Sequence, residues 1–190
     1  NTEKLPIGNP NLTITAWFYS KNAGVPRVIA SWGTDTVDKK NEIVFYLATI
    51  NGLPYLGLTN GVDSVAAKCP TNSTNTWFYA AVKVSSGTAT FYMNGVPTTP
   101  QTITFDINKG GVLGLGTDMR STITGTNFFG GSLDDITIYN RALSDEEITH
   151  IKTCKPSRNL APSITSTAGT KGKALEAYNY KITTSDPENQ

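Results

Sequence analysis

Residues 12–19 read Leu-Thr-Ile-Thr-Ala-Trp-Phe-Tyr, with an apolar side chain at every second position. Successive side chains of a β-strand point to opposite faces. One face of the predicted strand carries Leu12, Ile14, Ala16 and Phe18, and the other carries Thr13, Thr15, Trp17 and Tyr19. The pattern predicts a strand whose first face lies in the core and whose second face ends in aromatic rings.

A predicted hairpin follows this strand. Residues Glu42–Ile50 and Leu53–Thr59 flank Asn51-Gly52, a pair that readily adopts the positive φ angles of a two-residue turn. Further strands are predicted at Val28–Trp32, Val62–Lys68, Trp77–Val84, Thr88–Asn94, Gln101–Ile107, Val112–Leu115 and Leu133–Tyr139.

One helix is predicted near the end of this series. Glu147 follows Ser144 by three residues, which is the spacing of a capping box, in which each side chain bonds the backbone N–H of the other residue. Leu143 can pack on Ile148 across the first turn. Many short strands with one short helix indicate an all-β fold. We predict a two-sheet antiparallel jelly-roll sandwich with one short helix near residues 144–152.

Charge and composition exclude several classes of protein. The 190 residues hold 16 Lys and Arg against 15 Asp and Glu, a net charge of +1, without the basic excess of nucleic-acid-binding proteins. The apolar run Ile43–Ala48 is far shorter than the roughly 20 residues of a membrane-spanning helix. Charged residues make up only 16%, which suits extracellular β-proteins. We expect an extracellular or cell-surface protein with no nucleic acid partner and no membrane insertion.

The chain changes character after residue 154. Residues 155–162 hold two prolines and no periodicity, which predicts a linker. Beyond it, Ile164–Thr167 and Ala177–Thr184 are predicted strands, and two strands bury too little apolar surface to fold alone. The predicted organisation is a first domain over residues 1–154, a linker over 155–162 and an incomplete domain over 163–190.

The two cysteines, Cys69 and Cys154, do not have the CxxC spacing of zinc or redox sites. They form either one long-range disulfide or two buried thiols. The disulfide would close a long loop and contribute about 4 kcal/mol in the chain-entropy model.

Three stretches resemble the laminin-G-like jelly-roll domains of the concanavalin A-like lectin and glucanase superfamily. They lie at Leu12–Trp17, at Trp77–Lys83 running to Tyr92–Gly95, and at Phe129–Ser144 followed by Glu147-Ile148. They stand in family order across about residues 1–153. The resemblance implies the jelly-roll fold and a usually non-catalytic role in extracellular binding or adhesion.

Both ends of the chain depart from the family pattern. Members usually begin with a further strand that carries an Asp-rich turn, and this chain starts too late to contain it. Residues 163–190 resemble the opening of a bacterial immunoglobulin-like or cadherin-like repeat. We expect a piece of a larger multidomain protein, or a chain completed by another copy.

The sequence offers no residues arranged for hydrolysis. Glycoside hydrolysis needs two carboxyl groups about 5–9.5 Å apart, which on one strand means acids two residues apart. Asp134 and Asp135 are consecutive, and Glu42 has no acidic partner two residues away. The one histidine, His150, lies on the predicted helix, where we expect a solvated residue. We expect no enzymatic activity.

Calcium is the cofactor that the resemblance implies. Ca²⁺ takes six to eight oxygen ligands, often from loop carboxylates. The resemblance points to Asp134 or Asp135, with Asp35, Asp38 and Asp118 as loop additions. Alternatively, one residue of the pair faces solvent and the other hydrogen-bonds a neighbouring turn.

Glycan binding would use aromatic rings, which stack on the apolar faces of sugar rings beside polar groups that fix orientation. The candidates are Trp32, Trp17, Tyr19, Tyr55 and Tyr92. Core burial is the alternative for each of them, and we expect core packing for Trp17 and Trp77. Trp32, next to a polar loop, is the favoured platform.

The sequence therefore predicts a non-catalytic extracellular module of a modular surface or secreted protein, which binds glycan or another surface component. The alternative is a structural subunit of an assembly. In that case an orphan strand such as Ala177–Thr184 of one copy would complete a sheet of another copy by strand exchange.

Overall fold

The computed structural model describes residues 4–20, 27–34, 39–70, 75–109, 112–118, 128–153, 163–164, 166 and 184–185. The chain divides into two compact units, Asn1–Lys152 and Thr153–Gln190. The first unit holds both large sheets.

The strands of the first unit are β1 (Leu12–Ser20), β2 (Arg27–Gly33), β3 (Glu42–Ile50), β4 (Leu53–Thr59), β5 (Ser64–Lys68), β6 (Trp77–Ser85), β7 (Thr88–Met93), β8 (Val96–Pro97), β9 (Gln101–Thr102), β10 (Gly114–Leu115) and β11 (Gly131–Tyr139). Helix α1 (Asp145–Thr153) follows them. The six-stranded sheet has the order β11-β1-β6-β7-β8, with β9 also paired to β7. The five-stranded sheet has the order β10-β2-β3-β4-β5. This two-sheet antiparallel sandwich with one short helix confirms the predicted fold class.

The alternation in β1 fixes where the core lies. All four apolar residues of its predicted core face are fully buried. β1 pairs with β11 on one side and with β6 on the other, and its core face packs in one cluster with Ile43, Phe45 and Leu47 of β3. Burying one such side chain contributes about 1.5–3 kcal/mol. The core therefore fills the space between the two sheets.

The predicted turn at Asn51-Gly52 forms as expected, and a second turn at Ser86-Gly87 joins β6 to β7. Asn51 and Gly52 have φ angles of 50° and 77°, and Ser86 and Gly87 have φ angles of 48° and 76°. These are the positive values that a two-residue turn requires.

Strands β5 and β9 are shorter than predicted because their expected backbone groups bond to side chains and loops, and β10 forms only the second half of the predicted Val112–Leu115. The Asn60 side-chain oxygen accepts hydrogen bonds from the N–H groups of Val62 and Asp63, at 2.8 and 2.6 Å, so β5 begins at Ser64. Beyond Thr102, successive N–H groups bond to different segments. Ile103 donates to Gly87 and Ile107 donates to Gly8, so residues 103–107 do not extend β9 as one ladder.

Helix α1 begins at the predicted capping box. The Ser144 side-chain oxygen accepts from the Glu147 N–H at 3.2 Å, and the Glu147 carboxylate accepts from the Ser144 N–H at 2.7 Å. Leu143 and Ile148 are buried in one cluster on the outer side of the six-stranded sheet. The predicted contact across the first turn therefore anchors the helix to that sheet.

Polar contacts fix the position of the helix N-terminus. The Asp145 carboxylate lies 2.6 Å from the Lys83 ammonium group and accepts a hydrogen bond from the Tyr92 hydroxyl at 2.6 Å. These two contacts hold the pKa of Asp145 below its usual range. The Arg141 guanidinium and the Ser144 N–H likewise lower the pKa of Glu147 to about 2. Both carboxylates thus favour the docked helix in their charged form.

In the second unit the described residues form one short ladder between β12 (Ser163–Ile164) and β13 (Thr184–Ser185). The linker and most of the two predicted strands, Ile164–Thr167 and Ala177–Thr184, lie outside the described residues. The immunoglobulin-like or cadherin-like character of residues 163–190 stays a prediction.

The acidic groups of α1 predict a specific pH dependence. A carboxylate whose pKa is lower in the folded state contributes stability above its unfolded pKa of about 4, and this stability is lost as the pH falls. Thermal unfolding of the wild type should therefore shift to lower temperature between about pH 4.5 and pH 2. The Asp145→Asn variant should lose about 0.5–1 kcal/mol at pH 7, since the exposed pair is screened by solvent, and should depend less on pH. Glu146→Gln, which alters an exposed acid in the same turn, is the control. Identical pH profiles for wild type and Asp145→Asn would contradict this account.

Candidate functional site

Trp32, the favoured platform of the sequence analysis, is a core residue. Its ring is only 3% exposed, and its indole N–H donates to the Pro6 carbonyl at 3.0 Å. Trp32 pairs with Ile43 in the β2–β3 register, and both side chains point between the sheets. The prediction was wrong because the polar loop next to Trp32 says nothing about which face of the strand carries the ring.

Tyr92 is also buried, for a different reason. It lies on the outer side of the six-stranded sheet, but α1 covers it, and the side chain is 0% exposed. Its hydroxyl bonds Asp145, as described above. Tyr92 therefore anchors the helix and offers no ring face to a ligand, which corrects the prediction.

Tyr55 lies on the outer side of the five-stranded sheet, together with a residue that the sequence analysis missed. In the register, Tyr55 stands opposite Ala48 on β3 and Lys68 on β5, and Tyr46 stands opposite Gly57. A Cβ atom built on Gly57 would overlap the end of the Tyr46 ring. The Tyr46 ring therefore lies across β4 over the glycine.

The hydroxyl of Tyr46 extends across β4 to β5. Burial raises the pKa of Tyr46, and a hydrogen bond with Ser64 on β5 opposes the rise. Gly57 and Ala66, which pair with each other, are small and leave room beside the two rings. We call this surface the tyrosine face; its residues are Tyr46, Tyr55, Gly57, Ser64, Ala66 and Lys68.

The register that assembles the tyrosine face could have been read from the sequence. A two-residue turn at Asn51-Gly52 pairs Ile50 with Leu53, and counting back along both strands pairs Tyr46 with Gly57. The signal for the tyrosine face is an aromatic residue, Tyr46, that this register places opposite a glycine.

Trp17 and Tyr19 lie on the outer side of the six-stranded sheet, as the alternation predicted, and Trp77 joins them. The Tyr19 and Trp77 ring centroids are 6.1 Å apart with an interplanar angle of 57°, and those of Trp17 and Tyr79 are 5.4 Å apart. Trp17 packs against the buried cluster beneath α1. Trp77, in contrast, is 45% exposed, so the expectation of core packing was wrong for Trp77.

The described acidic candidates do not come together in one group. Asp134 and Asp135 are both exposed on β11 at a β-bulge, where Asp135 has a φ of 49° and its N–H donates to the Asp134 carboxylate at 2.9 Å. Asp118 is buried after β10. Within the described ranges, no three His, Cys, Asp or Glu residues form a group that could hold a metal ion. Asp35 and Asp38 lie outside the described residues, so their role stays a prediction.

Cys69 is a buried free thiol in the core between the sheets. Desolvation raises its pKa to about 12, which keeps the thiol protonated and unreactive at neutral pH. Cys154 lies outside the described residues, and the free thiol of Cys69 agrees with the buried-thiol alternative for that cysteine.

The comparisons with known proteins agree with the fold. Residues 1–149 match a laminin G model described as the concanavalin A-like lectin/glucanases superfamily. The chain belongs to this superfamily. No curated protein matches the sequence.

Several solved structures share the fold at low sequence identity. A native heptameric SAP-like pentraxin from Limulus polyphemus has a TM-score of 0.62 and 18% identity, covering 81% of this chain and 78% of the pentraxin chain. The CBM40 of a Ruminococcus gnavus IT-sialidase, bound to α2,3-sialyllactose, has a TM-score of 0.59 and 20% identity, covering 76% and 84%. Domain 4 of AbnA, an extracellular arabinanase from Geobacillus stearothermophilus in complex with arabinotriose, has a TM-score of 0.56 and 17% identity, covering 77% and 68%.

At 17–20% identity these neighbours share the fold of this chain. The one histidine, His150, is exposed on α1, as expected. No helix in the part of the chain that the structure describes is long and apolar enough to cross a membrane.

The close approach of Tyr46 to Gly57 can be tested directly. Gly57→Ala should push the Tyr46 ring off the sheet, because the new methyl group would overlap its end. We expect a loss of about 1–2 kcal/mol in urea unfolding, together with a changed tyrosine signal in near-ultraviolet circular dichroism. In a Tyr46→Ala background the same Gly57→Ala substitution should change the spectrum and the stability much less, because the ring that the methyl group would overlap is absent. An unchanged Gly57→Ala spectrum would contradict the geometry.

Proposed function

We propose that this chain is a non-catalytic, extracellular glycan-binding module and that the tyrosine face holds the sugar. The proposal is supported by membership of a lectin and glucanase superfamily and by structural neighbours that are carbohydrate-binding domains in complex with sialyllactose and arabinotriose. The observation that carries it is the Tyr46 ring, which lies across β4 because Gly57 has no side chain.

The tyrosine face combines the two features that sugar recognition needs. An aromatic ring supported by the sheet gives a sugar a rigid apolar surface at low entropic cost. Gly57 and Ala66 add no bulk beside that ring, and Tyr55 supplies a second ring two register positions away on the same face. Polar groups stand at the margin, with Ser64 and Lys68 both exposed. The rings would bind a sugar face, and the polar groups would orient its hydroxyls.

Lys68 gives the tyrosine face a preference among glycans. An exposed ammonium group beside an aromatic ring attracts a carboxylate on the sugar and steers its approach. We therefore expect acidic sugars to bind the tyrosine face more tightly than their neutral counterparts. Lys68→Gln should reduce this difference and leave binding of neutral glycans nearly unchanged.

The test is a glycan array that carries sialylated and neutral oligosaccharides. Tyr55→Ala should weaken every glycan held on the tyrosine face by about tenfold, which corresponds to about 1.4 kcal/mol of lost stacking. Val96→Ala, which removes an exposed apolar side chain from the other sheet, should leave the array unchanged. Equal signals from wild type and Tyr55→Ala would overturn the assignment of the site, and a blank array for the wild type would overturn glycan binding.

The same array measures calcium dependence. A signal that disappears in EDTA and returns with CaCl₂ would support a site that includes Asp35 or Asp38. A signal that EDTA leaves unchanged would remove calcium from the proposed function.

The structural alternative rests on strand β11. This nine-residue strand lies at the end of its sheet, and among the described strands it pairs only with β1. An open strand edge is where another copy could add a strand. The bulge at Asp134 and Asp135 interrupts the regular row of backbone groups on this strand, which opposes such an addition. Light scattering after size-exclusion chromatography distinguishes the strand-exchanged assembly from a monomeric binding module. Strand exchange requires a dimer or larger species.

A further inference from the structure

A second aromatic surface lies on the opposite sheet from the tyrosine face. It consists of Trp77, Tyr19 and Trp17 with Ser132 and Asp134, and we call it the helix-side surface. We propose that it is a second glycan site and that it binds neutral pyranose chains. The inference rests on the proposed function, and it names a different ligand class at a different place.

The exposure of Trp77 distinguishes it from its neighbours on the same side of the sheet. Tyr79, two residues further along β6, is 1% exposed, and its hydroxyl donates to the Ile148 carbonyl of α1 at 3.2 Å. Trp77 is 45% exposed and contacts Tyr19. Helix α1 therefore covers the Tyr79 ring, whereas Trp77 at the beginning of the strand keeps an open indole surface. Trp77 is therefore not part of the core, and its exposed indole adjoins the Tyr19 ring in one aromatic surface.

Polar groups stand directly beside these rings. In the β1–β11 register, Ser132 pairs with Tyr19 and Asp134 pairs with Trp17, so all four side chains share the outer face. Ser132 and Asp134 are both exposed. One Asp134 oxygen accepts the Asp135 N–H, and a carboxylate can accept further hydrogen bonds at its other oxygen. Aromatic rings flanked by a hydroxyl and a carboxylate match the apolar face and the hydroxyl groups of a pyranose.

The negative charge on the helix-side surface favours neutral sugars over acidic ones. Asp134, which pairs with Trp17, places an exposed carboxylate on the helix-side surface, and like charges at close range disfavour binding. Binding of sialylated and uronic-acid sugars is therefore disfavoured relative to neutral sugars. The tyrosine face carries Lys68 and has the opposite preference.

The two surfaces can be occupied at the same time. They lie on the outer sides of two different sheets, and stacked sheets are about 10 Å apart. One sugar ring cannot touch both. A module with both sites would hold two glycan chains of different charge.

The experiment titrates wild type and variants with two probes, neutral cellohexaose or mannohexaose and sialyllactose, by calorimetry and by tryptophan fluorescence. Trp77→Ala should weaken the neutral hexaose about tenfold and abolish its fluorescence change, and should leave sialyllactose unchanged. Trp77→Phe keeps an aromatic ring and should recover most of the affinity. Asp134→Asn should weaken the neutral hexaose by a smaller factor. Thermal unfolding confirms that each variant folds.

The outcomes separate the two proposals. Loss of hexaose binding in Trp77→Ala but not in Tyr55→Ala supports the helix-side surface, whatever the fate of the tyrosine face. Loss of all binding in Tyr55→Ala, with Trp77→Ala equal to wild type, overturns the second site and leaves the proposed function standing. Absence of binding to any probe by the wild type overturns both.

Discussion

The fold depends on the strict alternation of side chains along β1. This strand lies between β11 and β6, so both of its backbone edges are paired. The apolar face of β1 packs in the core. Its other face contacts the segment that leads into α1. There the Thr13 hydroxyl donates to the Arg141 carbonyl at 3.1 Å and accepts from the Leu143 N–H at 2.9 Å. A shift of one residue would exchange the two faces and lose the core and the helix contact together.

Helix α1 determines which aromatic rings of the six-stranded sheet are structural. It covers Tyr79 and Tyr92 and bonds the hydroxyl of each. Rings outside this cover, above all Trp77, stay accessible. The five-stranded sheet has no helix over it among the described elements, and there a glycine opposite Tyr46 decides how the ring lies. The helix-side surface is thus defined by the rings that α1 leaves exposed, and the tyrosine face by the glycine opposite Tyr46.

Periodicity and turn chemistry were enough to predict the fold class and the boundaries of the long strands. β3 and β4 begin and end where predicted, because the Asn51-Gly52 turn is a strictly local signal. Local signals also predicted the capping box of α1. They failed where long-range contacts decide, as when Asn60 delays the start of β5 or when residues 103–107 bond to several segments. Prediction of the site failed for the same reason. Alternation assigns Tyr92 to an outer face but cannot show that helix α1 covers it. Alternation also cannot show that α1 leaves Trp77 exposed.

The pairing of β1 with β11 has a consequence for how the chain folds. It joins Thr13 to Tyr139, so one edge of β1 stays unpaired until residues more than a hundred positions later have been synthesised. Native contacts of such long sequence separation slow folding, because the entropy of closing the loop is lost before the contact forms. The hairpins β3–β4 and β6–β7 are local and can form early, whereas the sandwich closes only once β11 has been synthesised. Until β11 has been made, the nascent chain leaves uncovered the part of the core against which Leu133, Ile136 and Ile138 pack, and exposed apolar surface favours aggregation.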